Sequence, residues 1–153
     1  MQLTEHFTLE ELTKSQTGDR LGMDNMPDAA VLDCLKVLCE RALEPIRAHY
    51  GPVRINSGYR CPELNKLVGG ASTSQHCRGQ AADVEVAGVA NGDLATWIAN
   101  NLDFDQVILE CYRKGRPNSG WVHVSYKDSD NRKATLTAAV SSGKMVYTSG
   151  LNT

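Results

Sequence analysis

The run Ser74-Gln75-His76-Cys77-Arg78-Gly79-Gln80-Ala81-Ala82-Asp83 places an imidazole and a carboxylate seven residues apart, on a glycine-containing loop that leads into a strand. Neutral histidine and ionised aspartate both ligate divalent ions. A hydrolytic zinc centre takes three protein ligands of this kind and leaves one position for water. The third ligand has to come from elsewhere in the chain. Of the four histidines, His6 and His49 lie near expected helix ends, whereas His123 sits in Trp121-Val122-His123-Val124-Ser125, where a strand fixes the direction of its side chain. His76, Asp83 and His123 are therefore the candidate metal ligands, and the chemistry they point to is metal-assisted hydrolysis.

Such residues need a scaffold that brings them together. Val53-Arg54-Ile55-Asn56-Ser57 alternates as a strand does before Gly58 breaks it, and Ala82 to Val86 reads as a second strand. Phe104 to Leu109 and Trp121 to Tyr126 read as two more, joined by the Gly/Pro/Asn-rich link Arg113 to Gly120. Thr8-Leu9-Glu10-Glu11 has capping-box spacing and should start a short helix. Pro27, placed in a first helical turn, is followed by Val31, Leu35, Leu38, Ala42 and Ile46 at helical spacing, which predicts one helix over residues 28 to 49. A short helix is expected around Glu63 to Val68. Another is expected with Asn91 as its cap and Leu94, Trp97, Ile98 and Leu102 on its apolar face. Lys14 to Pro27 reads as a polar connection. The tail predicts a hairpin, with strands over residues 133 to 140 and 144 to 149 around Ser141-Ser142-Gly143.

These elements amount to an α+β chain, a single domain over residues 1 to 153 in which a small antiparallel sheet packs against helices. Its 153 residues suffice for one core, and 41% hydrophobic with 22% charged residues is ordinary globular usage. A net charge of -2 leaves no broad basic footprint, so nucleic acid is not an expected partner. No run approaches the roughly 18 to 20 apolar residues of a membrane helix, and the N-terminal stretch lacks the layout of a secretory signal. A monomer without membrane insertion is expected, held in the cytoplasm until something releases it. Five cysteines, an odd number without CxxC spacing, read as reduced thiols.

Ser57-Gly58-Tyr59-Arg60, Asn65 with Gly69-Gly70, the pattern S-x-H-x-x-G-x-A-x-D from Ser74 to Asp83, and the W-x-H of Trp121 and His123 together span about residues 56 to 125. In these motifs the chain resembles the zinc D-alanyl-D-alanine carboxypeptidases and phage L-alanyl-D-glutamate endopeptidases, which share a fold with the hedgehog signalling domain. Phe7-Thr8-Leu9-Glu10-Glu11-Leu12 is similar to the phage-type members; only the tail, with its hairpin at about 133 to 149, lacks a clear likeness. The resemblance implies Zn2+ on His76, Asp83 and His123, with a nearby carboxylate or histidine as base. Several members of the family carry that base three residues before the last histidine, where this chain has Gly120. Glu110, at the end of the Phe104 to Leu109 strand, is the expected substitute if that strand pairs antiparallel with the His123 strand. Glu85, on the same strand face as Asp83, is the runner-up.

The function that the resemblance implies is a peptidoglycan peptidase of endolysin type in a bacteriophage or prophage setting, with the stem peptide as its partner and virion association as a second location. Arg60 would meet a substrate carboxylate or the developing oxyanion, and Ser74 and Gln75 would position the substrate or the loop. The bland readings are a surface ion pair for Arg60, a salt-bridged strand end for Glu110, and packing for Tyr59 and Trp121. Cys77, lacking an activating base, is not expected to act as a nucleophile. Two other functions remain open on the residues: a binding or virion-assembly module stabilised by its metal, and a cytoplasmic D-Ala-D-Ala dipeptidase.

Overall fold

In the computed structural model, which describes residues 1–153, one sheet is built from β1 (Arg54–Ser57), β2 (Ala81–Glu85), β3 (Gln106–Glu110), β4 (Trp121–Ser125), β5 (Ala134–Ser141) and β6 (Lys144–Ser149). The strands lie in the order β1-β2-β4-β3-β5-β6. All neighbouring pairs are antiparallel except β3 with β5. The α+β class is as expected, and the sheet adds one parallel pair to the antiparallel pattern. Its reason is topological: β4 returns the chain to the end of the sheet where β3 begins, so a strand added on the far side of β3 has to run with it.

Alternation along the central strands separates two faces. Ala82 and Val84, Val107 and Leu109, and Val122 and Val124 all point one way and are fully buried. They join Leu35, Leu38, Leu43, Ile46, Leu94 and Ile98 of the helices in a single core. The opposite face carries Asp83, His123, Ile108 and Glu110, and on it lies the cleft. Between Ile55 and Ser57 the β1–β2 register shifts by one residue. That bulge turns Ser57 onto the cleft face opposite Asp83.

Helices α1 (Leu9–Thr13), α2 (Gln16–Arg20), α3 (Ala29–Leu38), α4 (Glu44–Tyr50), α5 (Pro62–Leu67) and α6 (Asn91–Asn101) surround this sheet. The Thr8 capping box is complete, with Thr8 Oγ1 accepting from Glu11 N and Glu11 Oε1 accepting from Thr8 N, both at 3.2 Å. The Lys14 to Pro27 segment is not merely a connection, because Ser15 caps α2 within it. The single helix expected over residues 28 to 49 contains a wide turn, Cys39–Leu43, between α3 and α4. Pro45 supplies the cause: it has no N–H to give to Arg41 and its ring would strike that carbonyl, so the helix widens to π spacing. Asp28, not Pro27, begins α3, its Oδ1 accepting from Val31 N at 2.9 Å.

Asn91 does not cap α6 as predicted. Ala90 holds the cap position, and the buried Asn91 amide donates instead to Glu85 Oε1 and to the carbonyls of Ser119 and Gly120. The predicted apolar face also overruns, since α6 ends at Asn101 and Leu102 lies beyond it. No helix is long and apolar enough to cross a membrane. All five cysteines are unpaired.

Asp105, fully buried just before β3, ties three segments together. Its Oδ1 accepts from Arg132 N and Nε, each at 3.0 Å, and its Oδ2 accepts from Arg132 Nη2 at 2.6 Å and from Gln75 Nε2 at 3.1 Å. The Arg132 hydrogen bonds outweigh burial and hold the Asp105 carboxyl well below the usual carboxylate range. A depressed folded-state pKa contributes stability above the unfolded value, about 3.9 for Asp, and that stability is lost as pH falls below it. Asp105→Asn is therefore expected to cost about 1–3 kcal/mol at pH 7, from donors left unsatisfied. The variant should also lose less stability than wild type on acidification. Thermal unfolding followed by circular dichroism at pH 7 and pH 3.5 checks both.

Candidate metal centre and cleft

Asp83 and His123 are cross-strand partners in the β2–β4 pair, so both side chains leave the sheet on the same side. His76 arrives from outside the sheet on a 3₁₀ turn, Gln75–Arg78. Ser74 Oγ caps that turn by accepting from His76 N at 3.2 Å. Gly79 closes it with φ +71°, at a place where a Cβ would press on the Val31 carbonyl. His76 Nε2 then lies 3.3 Å, and His123 Nδ1 3.2 Å, from the same oxygen, Asp83 Oδ1. One ligand atom from each of the three residues falls within 4.8 Å of the others.

Hydrogen-bond chemistry tests whether this trio suits a cation. His76 Nδ1 is 2.7 Å from the Gly58 carbonyl oxygen. A carbonyl only accepts, so Nδ1 carries a proton, and a ring with that single proton turns its Nε2 lone pair toward Asp83. Two acceptors then face each other, an arrangement that a shared positive charge resolves. Burial works to raise the Asp83 pKa, but the two imidazoles beside it, His123 and His76, outweigh burial and hold the carboxyl well below its ordinary range. Two imidazoles and one carboxylate, all buried, with the His76 ring oriented by a backbone carbonyl, fit a divalent ion such as zinc.

Glu110 is opposite Trp121 in the β3–β4 pair, two register steps from the His123 and Ile108 pair and so next to it on the same face. Its Oε2 accepts from Trp121 Nε1 at 2.8 Å, and both residues line the cleft. Burial pushes the Glu110 pKa up, as does the negative charge of Asp83. Gly120 could not have carried a base: its φ is +66°, and a Cβ there would overlap the Glu110 and Cys111 backbone. Glu85 is a correction to the sequence reading. It shares the face of Asp83, but its carboxylate is taken by Arg54, Asn56 and Asn91 and does not line the cleft.

The cleft has a volume of about 870 Å³. Arg60 lines it, with Nε donating to Asn65 Oδ1 at 3.1 Å and Nη1 to Ser57 Oγ at 3.2 Å, and it makes no ion pair with any acid. Ser74 and Gln75 line it too, though Ser74 caps the His76 turn and Gln75 is engaged with Asp105. Cys77 is half-buried, and burial pushes its thiol pKa up, away from nucleophilic thiolate. Sequence reasoning missed three supports: the Trp121 indole on Glu110, the Gly58 carbonyl on His76, and the hairpin residues Leu136, Met145 and Tyr147, which reach the cleft. The W-x-H spacing places Trp121 on the face of His123, which was signal enough for the first.

A comparison with protein families finds that the model described as Peptidase M15 matches residues 5–125. No curated protein matches the chain. Binding to the folded state stabilises it by RT ln(1 + [L]/Kd), so Zn2+ at a hundredfold excess over Kd should add about 2.7 kcal/mol to the metal-free protein. His123→Ala, which removes one of three donors, is expected to abolish that gain, and chelation should reverse it in wild type. Differential scanning calorimetry with and without Zn2+ measures both.

Proposed function

The chain belongs to the peptidase M15 family, and on that premise we propose that it is a zinc metallopeptidase that hydrolyses peptide bonds in the stem peptides of bacterial peptidoglycan, in a phage or prophage lysis setting. The observation that carries the reading is the convergence of His76, Asp83 and His123 at the floor of a cleft that also holds an ionisable Glu110. A zinc ion held by those three residues would supply Lewis acidity, activating water and polarising the scissile carbonyl.

The protein's own groups account for the rest of the reaction. Glu110 accepts the proton of the attacking water and returns it to the leaving amine. Its raised pKa brings it nearer the working pH than an ordinary carboxylate, which suits both transfers. The Trp121 indole N–H holds Oε2 and so selects the carboxylate's orientation. Arg60 is a free cation of the cleft, fixed by Asn65 and Ser57 yet unpaired with any acid, and is suited to a substrate carboxylate or the developing oxyanion. The Gly58 carbonyl keeps the His76 tautomer.

An open cleft of about 870 Å³ lies toward the large end of ligand pockets and favours an extended peptide over a free dipeptide. A missing side chain at Gly120 would favour a non-catalytic module; Glu110, which lines the cleft from the neighbouring strand, supports the peptidase reading instead.

Zymography on purified cell wall, with assay of newly released amino termini, tests the reading. Zinc-loaded protein that clears no wall and releases no amines would sink it. Glu110→Gln is expected to lower turnover by at least about 10²-fold while zinc content is unchanged. A carboxyl whose folded pKa is raised costs stability once ionised, so the same substitution should raise the Tm of the metal-free protein at pH 7. That difference should shrink as pH falls below the ordinary carboxylate range. Wild-type turnover should fall on the acid side as Glu110 takes up its proton.

A further inference from the structure

The β5–β6 hairpin lies wholly beyond residue 125, where the family match ends. Even so, Leu136, Met145 and Tyr147 line the cleft. Register explains how. Trp121, Glu110, Ala138 and Tyr147 form one row across β4, β3, β5 and β6, and His123, Ile108 and Leu136 lie two residues along, in the next row on the same face. Residues directly opposite one another share a face, so Tyr147 stands on the metal-site face two strands from Glu110, about 10 Å away by strand spacing. Only the methyl of Ala138, itself fully buried, lies between them.

Every residue of β6 is exposed, so core packing does not account for its apolar side chains. Tyr147 is 55% exposed as a residue. It nevertheless lines the cleft, where burial, then the charges of Glu110 and Asp83, push its phenol pKa up. Tyr147 is the cross-strand partner of Ala138 and lines the same cleft as Glu110 and the three candidate ligands. Met145 stands two residues earlier on the same face, paired with Val140. An apolar strip on an edge strand is an association hazard unless it has an occupant.

Across the cleft the opposing wall differs in kind. Arg60 follows β1, and Arg78 with the polar segment through Ser74 leads into β2, at the end of the sheet away from β6; these residues line the cleft there. Lys127 and Arg132 also border the cleft, but both pair with Asp105. The cleft thus has one cationic wall and one apolar wall, with the three candidate ligands at its floor.

We infer that the hairpin is a specificity wall: the Tyr147 ring, with Met145 and Leu136, packs against an aliphatic side chain of the substrate peptide beside the bond to be cut, while the Arg60 wall takes a carboxylate of the same peptide. This rests on the peptidase reading and narrows it to short peptides that carry an aliphatic group and an acid on opposite sides. Tyr147 acts here as a contact surface, so its ring matters more than its hydroxyl.

The test compares zinc-loaded wild type with Tyr147→Ala, Tyr147→Phe and Met145→Ser, using soluble muropeptides as substrate. Binding of the same muropeptides to Glu110→Gln, with and without Tyr147→Ala, is measured alongside. Tyr147→Ala is expected to raise KM about tenfold, the size of one lost aromatic contact, with kcat little changed. Tyr147→Phe should retain the wild-type KM, Met145→Ser should raise it, and zinc content and Tm should stay unchanged in all three. In the binding arm, Tyr147→Ala should weaken association about tenfold. A wild-type KM in Tyr147→Ala overturns the inference, as does a loss confined to kcat or a Tyr147→Phe as poor as the alanine variant. Binding that needs Tyr147 in a protein that cleaves nothing would leave the wall standing and remove the peptidase reading. An active enzyme indifferent to Tyr147 would remove the wall alone.

Discussion

The pairing of β2 with β4 is the constraint on which the rest of the site depends. In that register Asp83 faces His123, and their neighbours Val84, Val122, Ala82 and Val124 turn to the core. Because side chains alternate with a period of two, a slip of one residue would bury the aspartate and histidine among leucines and put valines in the cleft. The hydrophobic set on one face therefore enforces the polar set on the other. Burying Val84, Val122, Val124 and Ala82 completely is the force that keeps two candidate ligands facing each other.

His76 is held differently. It does not sit on the sheet, and its position depends on a one-turn helix whose own hydrogen bonds are few. The compensating contacts come from three sides: Ser74 at the start of the turn, the Gly58 carbonyl on the ring, and Gln75 reaching the buried Asp105. Asp105 in turn is held by Arg132, a residue beyond the family match. The tail thus bears on the candidate metal site twice, through Arg132 to the His76 turn and through the hairpin to the cleft. A site with two ligands on strands and one on a propped turn concentrates its adjustability in the third, and binding of an ion would draw on the stability of that distant network.

Glu110 shows how a carboxylate can reach the cleft from one strand when backbone geometry forbids a side chain at position 120 beside the neighbouring strand. Gly120 has positive φ and is pressed against the Glu110 and Cys111 backbone, so no side chain fits three residues before His123. β3 lies beside β4, and its last residue is two register steps from His123, on the same face, which puts a carboxylate in the same cleft. That placement carries a cost in stability: the group is partly buried near a second carboxylate, and only the Trp121 indole contacts its Oε2. The opposite case is Glu85, on the same face but neutralised by Arg54 and two asparagines, where it serves to hold β1 and α6 to the sheet.

Much of this was legible in one sequence because period-two alternation and a ten-residue motif both speak to strand faces. The faces of Asp83, His123 and Glu110 follow from alternation once β2, β3 and β4 are recognised, and the Thr8 capping box is a local pattern with a local answer. What escaped prediction was decided by contacts distant in sequence. Asn91 has the chemistry of a cap, yet it forgoes that role because the buried carbonyls of Ser119 and Gly120 and the carboxylate of Glu85 need its amide more. Pro45 is visible in the sequence, but whether it breaks, kinks or widens a helix depends on how far the flanking Leu38, Leu43 and Ile46 are bound into the core. β6 is the plainest example. Its alternation reads equally as an added sheet edge, and only the parallel join of β5 to β3 brings Tyr147 into the row of Glu110. Tertiary placement, not local pattern, makes that edge strand part of the cleft lining.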